Sequence, residues 1–281
     1  MQPFAYHHPR SAGEAATVFG KSEDARYLAG GMTLIPALKH GLAAPSALVD
    51  LGGIASLKGI SIEGSVVVIG AMTPHAAVAA SDVVRTRLPV LGLLAGGIGD
   101  PQVRHRGTIG GSVANNDPAA DYPAACLGLG AAIVTNRRTL AAEEFFTGFF
   151  STALESAEMI TSIRFPAQMR AAYQKFANPA SRYAMVGVLV AQAAAGVRVA
   201  VTGAGRSGVF RIRAIEEALQ KDFRPEAVPA HCVAPGELIA DLHASAAYRA
   251  HLIDVLARRA VAACLGVQPE RPVRHGGSFA Y

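Results

Sequence analysis

Residues 108–121 have the composition of a loop that binds an anion. Two adjacent glycines, Gly110 and Gly111, free the backbone for positive φ and leave no side chain to block a close approach. Thr108 and Ser112 flank them with hydroxyl groups, and two asparagines and an Asp-Pro step follow. Exposed backbone N–H groups and short polar side chains in this order suit an oxygen-rich anion such as a diphosphate. A plain glycine turn before a capped helix explains the same stretch equally well, so both interpretations stand on these residues alone.

Another glycine turn, Gly30-Gly31, occurs earlier in the chain. In chain order, Gly30-Gly31 is the first glycine turn and Gly110-Gly111 is the second. The run before it, residues 26–29, predicts a short buried strand, and the run after it predicts a helix with Thr33 as N-cap. Pro36 falls in the first helical turn, where its missing N–H costs little, and Gly41 is suited to end the helix. Because a helix N-terminus just after a glycine turn attracts anions, the two turns together indicate one cradle built from two parts of the chain.

The composition limits the classes of protein to consider. The 281 residues are 51% hydrophobic and 17% charged, which is typical of a packed chain long enough for two domains or lobes. The formal charge of +5 is scattered, with its densest groups at residues 104–106 and 137–138. No aromatic residues are interleaved with these groups in a pattern that would stack bases. We therefore expect no nucleic-acid partner.

Three cysteines, Cys126, Cys232 and Cys264, are far apart and lack the CxxC spacing of zinc or iron–sulfur sites. Their apolar neighbours indicate small buried residues in a reducing compartment. No apolar run is long enough to span a bilayer, and the N-terminus lacks the pattern of a signal peptide. We expect a cytoplasmic chain with no membrane span and no metal of its own.

Strands and helices alternate in the first part of the chain. Residues 47–51 predict a strand, and residues 61–70 predict a hairpin that turns at Gly64-Ser65. The Thr73-Pro74 step predicts a helix start with proline at the first helical position. His75, one residue inside that helix, could face a ligand, but base rates favour a surface residue.

Two prolines, Pro118 and Pro123, divide the segment that follows Gly110-Gly111. A helix through both would carry Pro123 in its interior, at a cost of roughly 3 kcal/mol, so we predict a turn capped by Asp117 and a helix from about Asp121. The other predicted elements before residue 170 are a helix at 88–94, a strand at 131–135, a core aromatic cluster at 145–150, and an edge strand at 158–166 ended by proline.

The pattern changes near residue 170. Residues 172–176, 183–191 and 196–201 predict an antiparallel meander, and residues 214–222 and 245–265 predict helices, the second clearly amphipathic. The Pro/Gly-rich tail at 267–281 has too few apolar residues for a core of its own.

Residues 203–208 match the GxGxxG spacing of dinucleotide-binding turns. That function needs a helix directly after the last glycine. Residues 209–213 instead alternate apolar and basic side chains, which is typical of a strand. A hairpin loop is favoured, and a nicotinamide-binding or non-catalytic module with its site at this loop is the alternative.

The two glycine turns carry a resemblance to a known family. Residues 28–36, LAGGMTLIP, resemble the AGG-x-S-L-L-P loop of the FAD-binding medium subunits of molybdenum hydroxylases. Residues 104–121, RHRGTIGGSVANNDPAAD, are similar to the second signature of that family nearly throughout, and residues 70–73 resemble a further shared segment. The family includes carbon monoxide dehydrogenase medium subunits and the flavin domains of xanthine dehydrogenases, and the resemblance extends over essentially the whole chain.

The resemblance implies an α+β fold. A vanillyl-alcohol-oxidase (PCMH)-type FAD-binding domain of two α/β subdomains would occupy residues 1–170, with the subdomains at about 1–56 and 57–170. A C-terminal domain of antiparallel sheet plus helices would occupy residues 171–281.

The resemblance also implies a site for non-covalent FAD. The first glycine turn would hold the diphosphate from one side and the second turn from the other. Met32 departs from the usual small or polar residue, while Thr33 replaces serine and keeps a hydroxyl cap. Ile98 would pack near the flavin, Asp121 would hydrogen-bond part of the cofactor, and Lys175 and Tyr183 would lie beside the isoalloxazine. The implied binding set is Tyr27, Leu28, Ala29, Gly30, Gly31, Met32, Thr33, Leu34, Ile98, Thr108, Ile109, Gly110, Gly111, Ser112, Asn116, Asp121, Lys175 and Tyr183.

The family divides its chemistry among subunits. A large molybdopterin subunit oxidises the substrate, and a small subunit with [2Fe–2S] clusters relays electrons to the flavin, which reduces an external acceptor. The resemblance implies that this chain is the FAD-carrying electron-transfer subunit of such a heterotrimer, with no catalytic acid, base or metal of its own. A free-standing FAD-dependent oxidase or reductase of the same fold is the alternative.

Overall fold

The computed structural model describes residues 2–167 and 169–267, and its first unit is a parallel sheet of three strands. Strands β1 (Ala5–His7) and β2 (Ala25–Leu28) both pair with the central β3 (Ala47–Asp50). Parallel strands need crossover connections. Helix α1 (Ala12–Phe19) joins β1 to β2, and helix α2 (Leu34–Lys39) joins β2 to β3. The first glycine turn therefore lies at the carboxyl end of β2, directly before α2.

An antiparallel sheet of five strands forms the second unit. Residues 158–166 were predicted to form an edge strand, and this prediction is wrong, because the strand at Ile160–Pro166 lies in the centre of the sheet. Pro166 is its last residue, so the proline ends the strand without interrupting the pairing of Ile163 and Phe165, which are fully buried. The order across the sheet is β4 (Ile60–Glu63), β5 (Val66–Gly70), β10 (Ile160–Pro166), β6 (Ala132–Thr135) and β7 (Thr139–Ala141).

Six short helices between β5 and β6 share a core with this sheet. Ile69 and Ile163 of the sheet and Leu91, Ile109 and Tyr122 of the helices are fully buried in one cluster. The predicted helix at 88–94 and the helix start near Asp121 are confirmed, whereas the helix after Thr73 begins one residue later than predicted. The helices are α3 (His75–Ala80), α4 (Asp82–Arg87), α5 (Pro89–Gly96), α6 (Pro101–Arg106), α7 (Ile109–Asn115) and α8 (Asp121–Gly128).

The aromatic cluster at 145–150 is only partly in the core. Phe145 is fully buried, but Phe149 and Phe150 are 50% and 53% exposed. These two residues form the turn of a small hairpin, where Phe150 adopts φ +50°, so the prediction of a core cluster is wrong for them. The elements here are α9 (Ala142–Phe145), β8 (Phe146–Gly148) and β9 (Ser151–Thr152).

The remaining described part of the chain is the predicted antiparallel meander with helices packed on it. Residues 203–208 form the loop before a short returning strand and no helix follows Gly208 directly, so the hairpin prediction is confirmed over the dinucleotide-binding alternative. Val188, Val201 and Ile253 lie in the core between sheet and helices. The elements are β11 (Met169–Ala177), β12 (Ala184–Ala193), β13 (Gly196–Thr202), β14 (Phe210–Arg211), α10 (Arg213–Lys221) and α11 (Ala246–Cys264).

Two further sequence predictions concern the chain as a whole. Residues 268–281 of the predicted tail lie outside the described residues. Over residues 2–167 and 169–267, no helix has both the length and the apolar character that a bilayer crossing requires. Cys126 is buried as predicted, whereas Cys232 and Cys264 are only partly covered.

Candidate functional site

A cavity of about 610 Å³ lies where the first glycine turn meets the helices of the second unit. Its walls include both glycine turns, the loop at Ile98, Asp121 at the start of α8, and Tyr183 just before β12. This volume is within the range of pockets that hold small molecules and cofactors. The fold therefore brings the two glycine turns, which are far apart in the sequence, to one enclosed space.

Most of the residues predicted to bind a cofactor line this cavity. Leu28, Ile109, Asn116 and Lys175 do not, and their positions are described below. The role of the set in cofactor binding stays a prediction. The members that line the cavity are Tyr27, Ala29, Gly30, Gly31, Met32, Thr33, Leu34, Ile98, Thr108, Gly110, Gly111, Ser112, Asp121 and Tyr183.

Gly30 allows the two turns to pack directly against each other. A Cβ atom at Gly30 would overlap the carbonyl oxygen of Arg106, and it would lie 2.7 Å from the carbonyl carbon of that residue and 2.8 Å from Cα of Gly107. Gly31 is required for a different reason, because its φ of +75° is a conformation that side chains disfavour. The first turn therefore needs a close approach at one glycine and a positive φ at the next.

Free backbone N–H groups characterise the first turn. No described residue accepts a hydrogen bond from the N–H groups of Gly31, Met32, Thr33 or Leu34, and Ile35 is the first to donate, to the carbonyl oxygen of Gly31 at 3.0 Å. Unpaired N–H groups at the start of a helix form a concave site for an anion. The predicted hydroxyl cap at Thr33 is wrong, because its side chain makes no cap hydrogen bond and its backbone is already helical (φ −107°, ψ −49°).

The second turn uses its N–H groups differently. Ile109 donates to the carbonyl oxygen of Thr73 at 3.1 Å, Gly110 donates to that of Ala71 at 2.8 Å, and Gly111 donates to the Thr108 hydroxyl at 3.2 Å. A Cβ atom at Gly110 would lie 2.7 Å from the Ala71 carbonyl oxygen, so this glycine serves helix packing. We predicted that these backbone N–H groups would donate to the ligand, but they already donate to acceptors within the protein. The second turn therefore offers a bound ligand a surface without side chains rather than free donors.

Three of the predicted residues that do not line the cavity have structural roles. Ile109 is fully buried in the core of the second unit. Asn116 adopts φ +43°, and its Nδ2 donates to the carbonyl oxygens of Gly148 at 2.9 Å and Ser151 at 2.8 Å, which fixes the small hairpin. Leu28 packs towards Gly31, where a Cβ atom would lie 3.3 Å from Leu28 Cδ1.

Asp121 is a buried carboxylate at the edge of the cavity. It is 5% exposed and accepts hydrogen bonds from the Tyr173 hydroxyl at 2.5 Å and from Lys175 Nζ at 3.0 Å. Burial raises the pKa of Asp121, and the Lys175 charge and the two hydrogen bonds oppose that rise. The ion pair therefore joins α8 to the first strand of the meander.

Lys175 lies behind the cavity wall and connects two of its loops. Its ammonium group donates to the carbonyl oxygen of Gly97 at 2.9 Å and to that of Arg182 at 3.2 Å. Gly97 precedes Ile98, and Arg182 precedes Tyr183, so one buried cation fixes the backbone next to both of these lining residues. A role for Lys175 in positioning this end of the cavity follows from these contacts.

His75 is a lining residue that the sequence analysis misinterpreted. It is 4% exposed rather than on the surface, and its backbone N–H donates to the carbonyl oxygen of Gly107 at 3.0 Å. Burial, with a smaller contribution from the positive charge of Arg104, lowers the pKa of His75 to about 4. Its place directly after the shared segment 70–73 was the available signal. Sequence reasoning also missed the polar lining residues Arg26, Asn115, Asp117, Ser181 and Arg182.

The described residues contain no group of three or more His, Cys, Asp or Glu side chains that could hold a metal ion. The size of the cavity and the unpaired N–H groups of the first turn make it a candidate site for an organic ligand with an anionic part. The free N–H groups of the first turn mark its anion-binding end, and Ile98 and Tyr183 mark an end bounded by larger side chains.

Comparison with known proteins places this geometry in context. The family described as "FAD binding domain in molybdopterin dehydrogenase" matches residues 2–168. The chain is 38% identical over 274 residues to the carbon monoxide dehydrogenase medium chain of Hydrogenophaga pseudoflava, which covers 92% of this chain and 96% of that protein. It is 33% identical over 270 residues to the nicotine 6-hydroxylase medium subunit of Paenarthrobacter nicotinovorans, with 91% and 95% covered.

Solved structures agree with these matches. A chain of the Hydrogenophaga pseudoflava carbon monoxide dehydrogenase that lacks the Mo-pyranopterin moiety superposes with a TM-score of 0.88 at 37% identity, covering 95% of this chain and 99% of that one. A chain of quinoline 2-oxidoreductase from Pseudomonas putida 86 gives 0.86 at 26% identity, also covering 95% and 99%. The predicted fold class is confirmed, namely a PCMH-type domain of two α/β subdomains followed by antiparallel sheet plus helices.

Proposed function

Because the chain belongs to the family of FAD-binding domains of molybdopterin dehydrogenases, we propose that it is the FAD-carrying electron-transfer subunit of a heteromeric molybdenum hydroxylase. The observation that supports this most is the interlock of the two glycine turns at one cavity. In this proposal electrons arrive from the [2Fe–2S] clusters of a small partner subunit. A large partner subunit with molybdopterin oxidises the organic substrate, and an external acceptor takes the electrons last.

The residues of the cavity fit FAD. Backbone N–H groups of residues 31–34 are free to bind the diphosphate, and the glycines remove side chains from the approach. Arg26 also lines the cavity, and its guanidinium is paired with Asp24 at 2.8 Å. When bound, FAD supplies the ability to accept and release electrons, while the protein sets its position and electrostatic surroundings.

The end of the cavity opposite the anion site suits the flavin ring. Ile98 and Tyr183 offer apolar and aromatic surface there, and Lys175 holds the backbone next to each of them. Asp121 contributes a buried carboxylate whose two oxygens are already engaged by Tyr173 and Lys175. These residues orient the ring and limit the access of water, and they need not transfer a proton to a substrate.

The partner subunits and the compartment are inferred from the relatives and the cysteines. The relatives include a medium chain, a medium subunit and a "dehydrogenase complex subunit", so we assign this chain the same place in a complex with a small iron–sulfur subunit and a large molybdopterin subunit. The three cysteines form no disulfide with one another, which favours the cytoplasm as the compartment. Domain boundaries at about residues 56 and 170 remain part of this proposal.

Purification from the native host tests the proposal. The full chain, isolated with the subunits that accompany it, should release FAD on denaturation, and metal analysis of the complex should find molybdenum and iron. A complex without FAD contradicts the assigned role. Turnover of an organic substrate by this chain and FAD alone, with no partner subunit, supports the free-standing oxidase or reductase instead.

A further inference from the structure

His75 is a buried polar side chain in the cavity wall with a hydrogen-bonding atom left over. The residue is 4% exposed, and its Nδ1 has no hydrogen-bond partner among the described residues. An aliphatic side chain would fill the same space without the cost of removing an imidazole from water. A buried polar side chain without a partner calls for an explanation, and a cavity ligand that hydrogen-bonds the other ring nitrogen, Nε2, would explain why a histidine stands here.

The nearest polar groups of the protein do not supply the missing partner. The ring of Tyr122 is 5.3 Å from that of His75, but the Tyr122 hydroxyl is itself buried without a partner among the described residues. The Arg104 guanidinium is directed to the carbonyl oxygens of Ile98 at 2.8 Å and Gly99 at 3.2 Å. The imidazole is therefore held in place by packing. Nδ1 is covered by protein atoms, so the nitrogen that remains for a ligand is Nε2, at the ring edge that faces Gly107.

The surroundings of the ring connect it with the cavity. A Cβ atom at Gly107 would lie 2.6 Å from His75 Nε2, so only glycine leaves room at this ring edge, and Gly107 itself lines the cavity. On one side, the backbone N–H of His75 is bonded to Gly107, just before the second glycine turn. On the other side, its ring packs against Tyr122, the neighbour of Asp121 in the chain.

We propose that His75 binds the cofactor directly, with its uncharged imidazole hydrogen-bonding a polar atom of FAD from the wall of the cavity. This inference rests on the proposed function, because it takes FAD as the occupant. It assigns His75 a binding role and no part in proton transfer.

Two substitutions that remove the nitrogens test the role. His75→Leu keeps apolar bulk and His75→Phe keeps an aromatic ring against Tyr122, while His75→Gln retains a polar atom near the position of Nε2. We expect His75→Leu and His75→Phe to weaken FAD binding roughly tenfold, the effect of losing one hydrogen bond, and His75→Gln to recover most of that loss. His105→Leu is the matched control, because this neighbouring histidine is exposed and does not line the cavity.

The readouts are the dissociation constant of FAD and the melting temperature of the flavin-free protein, measured on the full chain with its accompanying subunits. A binding role predicts weaker binding of FAD with an unchanged or higher melting temperature of the flavin-free His75→Leu protein, because a buried polar group without a partner has been removed. Equal affinity of the wild type, His75→Leu and His75→Phe overturns the inference. A lower melting temperature of both flavin-free variants, without recovery in His75→Gln, also overturns it, since it indicates a structural role.

Failure of the proposed function gives a different result. If the wild-type protein itself does not bind FAD, the proposed function fails and this inference fails with it; if the wild type binds FAD and the His75 variants bind it equally well, only this inference fails. If His75→Leu does not fold, His75→Phe is judged by the same two criteria.

Discussion

Gly30 packs with its Cα against the peptide group that joins Arg106 to Gly107, so that a single added carbon would overlap the Arg106 carbonyl oxygen. Gly30 lies in the loop between β2 and α2, and Arg106 is the last residue of α6, in a different unit of the fold. Backbone therefore meets backbone at the place where the two glycine turns form one cavity. This contact makes the geometry of the site depend on the absence of a side chain at one position.

Gly30→Ala should separate the two turns. The methyl group would meet backbone atoms, which cannot move aside as a side chain can, and we expect a loss of roughly 1–3 kcal/mol in the free energy of unfolding, as for other overpacked sites. FAD content should fall to a small fraction of the wild-type value. Urea denaturation and flavin absorbance measure the two effects.

Gly13→Ala is the matched control for that substitution. Gly13 lies in α1, and a Cβ atom there would have no neighbour within 4 Å. Its replacement should raise stability by roughly 0.5–1 kcal/mol, because alanine favours the helix, and should leave FAD content unchanged. A Gly30→Ala protein that behaves like Gly13→Ala would contradict the interlock.

Lys175→Met should leave Asp121 buried without its cation. Removing one partner of a buried ion pair costs roughly 3–5 kcal/mol, and the side chains of Lys175 and Asp121 are only 12% and 5% exposed. The addition of Asp121→Asn to Lys175→Met should restore part of the loss, since no uncompensated charge remains. Equal stability of the single variant and the wild type would show that the pair does not support the cavity.

The loss in Lys175→Met should also depend on pH. Burial already raises the pKa of Asp121, and loss of the ammonium group raises it further. A carboxyl group whose pKa is higher in the folded state binds more protons there, so its variant gains stability relative to the wild type as pH falls. Denaturation of both proteins at pH 7 and pH 5 should therefore give a smaller difference at pH 5.

The contribution of Glu158 to stability should depend on pH in the opposite sense to that of Asp121. The Arg138 guanidinium, with help from the Thr135 hydroxyl and the Glu155 N–H, lowers the pKa of Glu158 from 4.5 to about 2. Its contribution to stability is present above pH 4.5 and is lost as pH falls towards 2. Glu158→Gln should lower stability at pH 7 and make the decline between these two pH values less steep.

A matched exposed residue controls for the effect of removing a carboxylate in general. Glu226→Gln, in the 3₁₀ turn Pro225–Ala227, should leave the acid dependence of stability as in the wild type.

Glu158 is next to Met159, which lines the cavity, and to Ala157, whose carbonyl oxygen accepts a hydrogen bond from the Tyr27 hydroxyl at 3.0 Å. An unaltered acid profile in Glu158→Gln would contradict the assigned ion pair.

Substitutions of Asn116 test whether this residue has a structural role or binds the cofactor. Asn116→Ala removes the donor of two part-buried hydrogen bonds, to the carbonyl oxygens of Gly148 and Ser151, and we expect it to destabilise the protein by roughly 1–3 kcal/mol. Asn116→Gly tolerates the positive φ better and should lose less. Both folded variants should bind FAD with wild-type affinity in a fluorescence titration, and a specific loss of FAD affinity would return Asn116 to the binding set.

Local sequence patterns predicted the parts of the site that depend on local geometry. Gly30, Gly31, Gly110 and Gly111 are visible as breaks in composition, and the apolar run at residues 184–191 is sufficient to predict a strand of the meander. The presence of two such turns in the first half of the chain indicated one shared cradle, and the resemblance named the family and the cofactor, since no local pattern specifies which distant turns meet.

The misinterpreted residues depend on contacts between distant segments. The strand at 160–166 is central because strands from residues 66–70 and 132–135 pair with its two edges. His75 is buried because helices from other parts of the chain cover it. The N–H groups of α7 are used because carbonyl groups of residues 71 and 73 reach them. In each case the deciding partner is remote in sequence, and single-residue preferences carry no information about it.

A density map of the full chain loaded with FAD, in its complex, tests the central claim most directly. The account predicts one FAD in the cavity, with its diphosphate against the free N–H groups of residues 31–34 and its flavin ring at the end bounded by Ile98 and Tyr183. Density for FAD at another place on the chain, with this cavity free of it, would contradict the account.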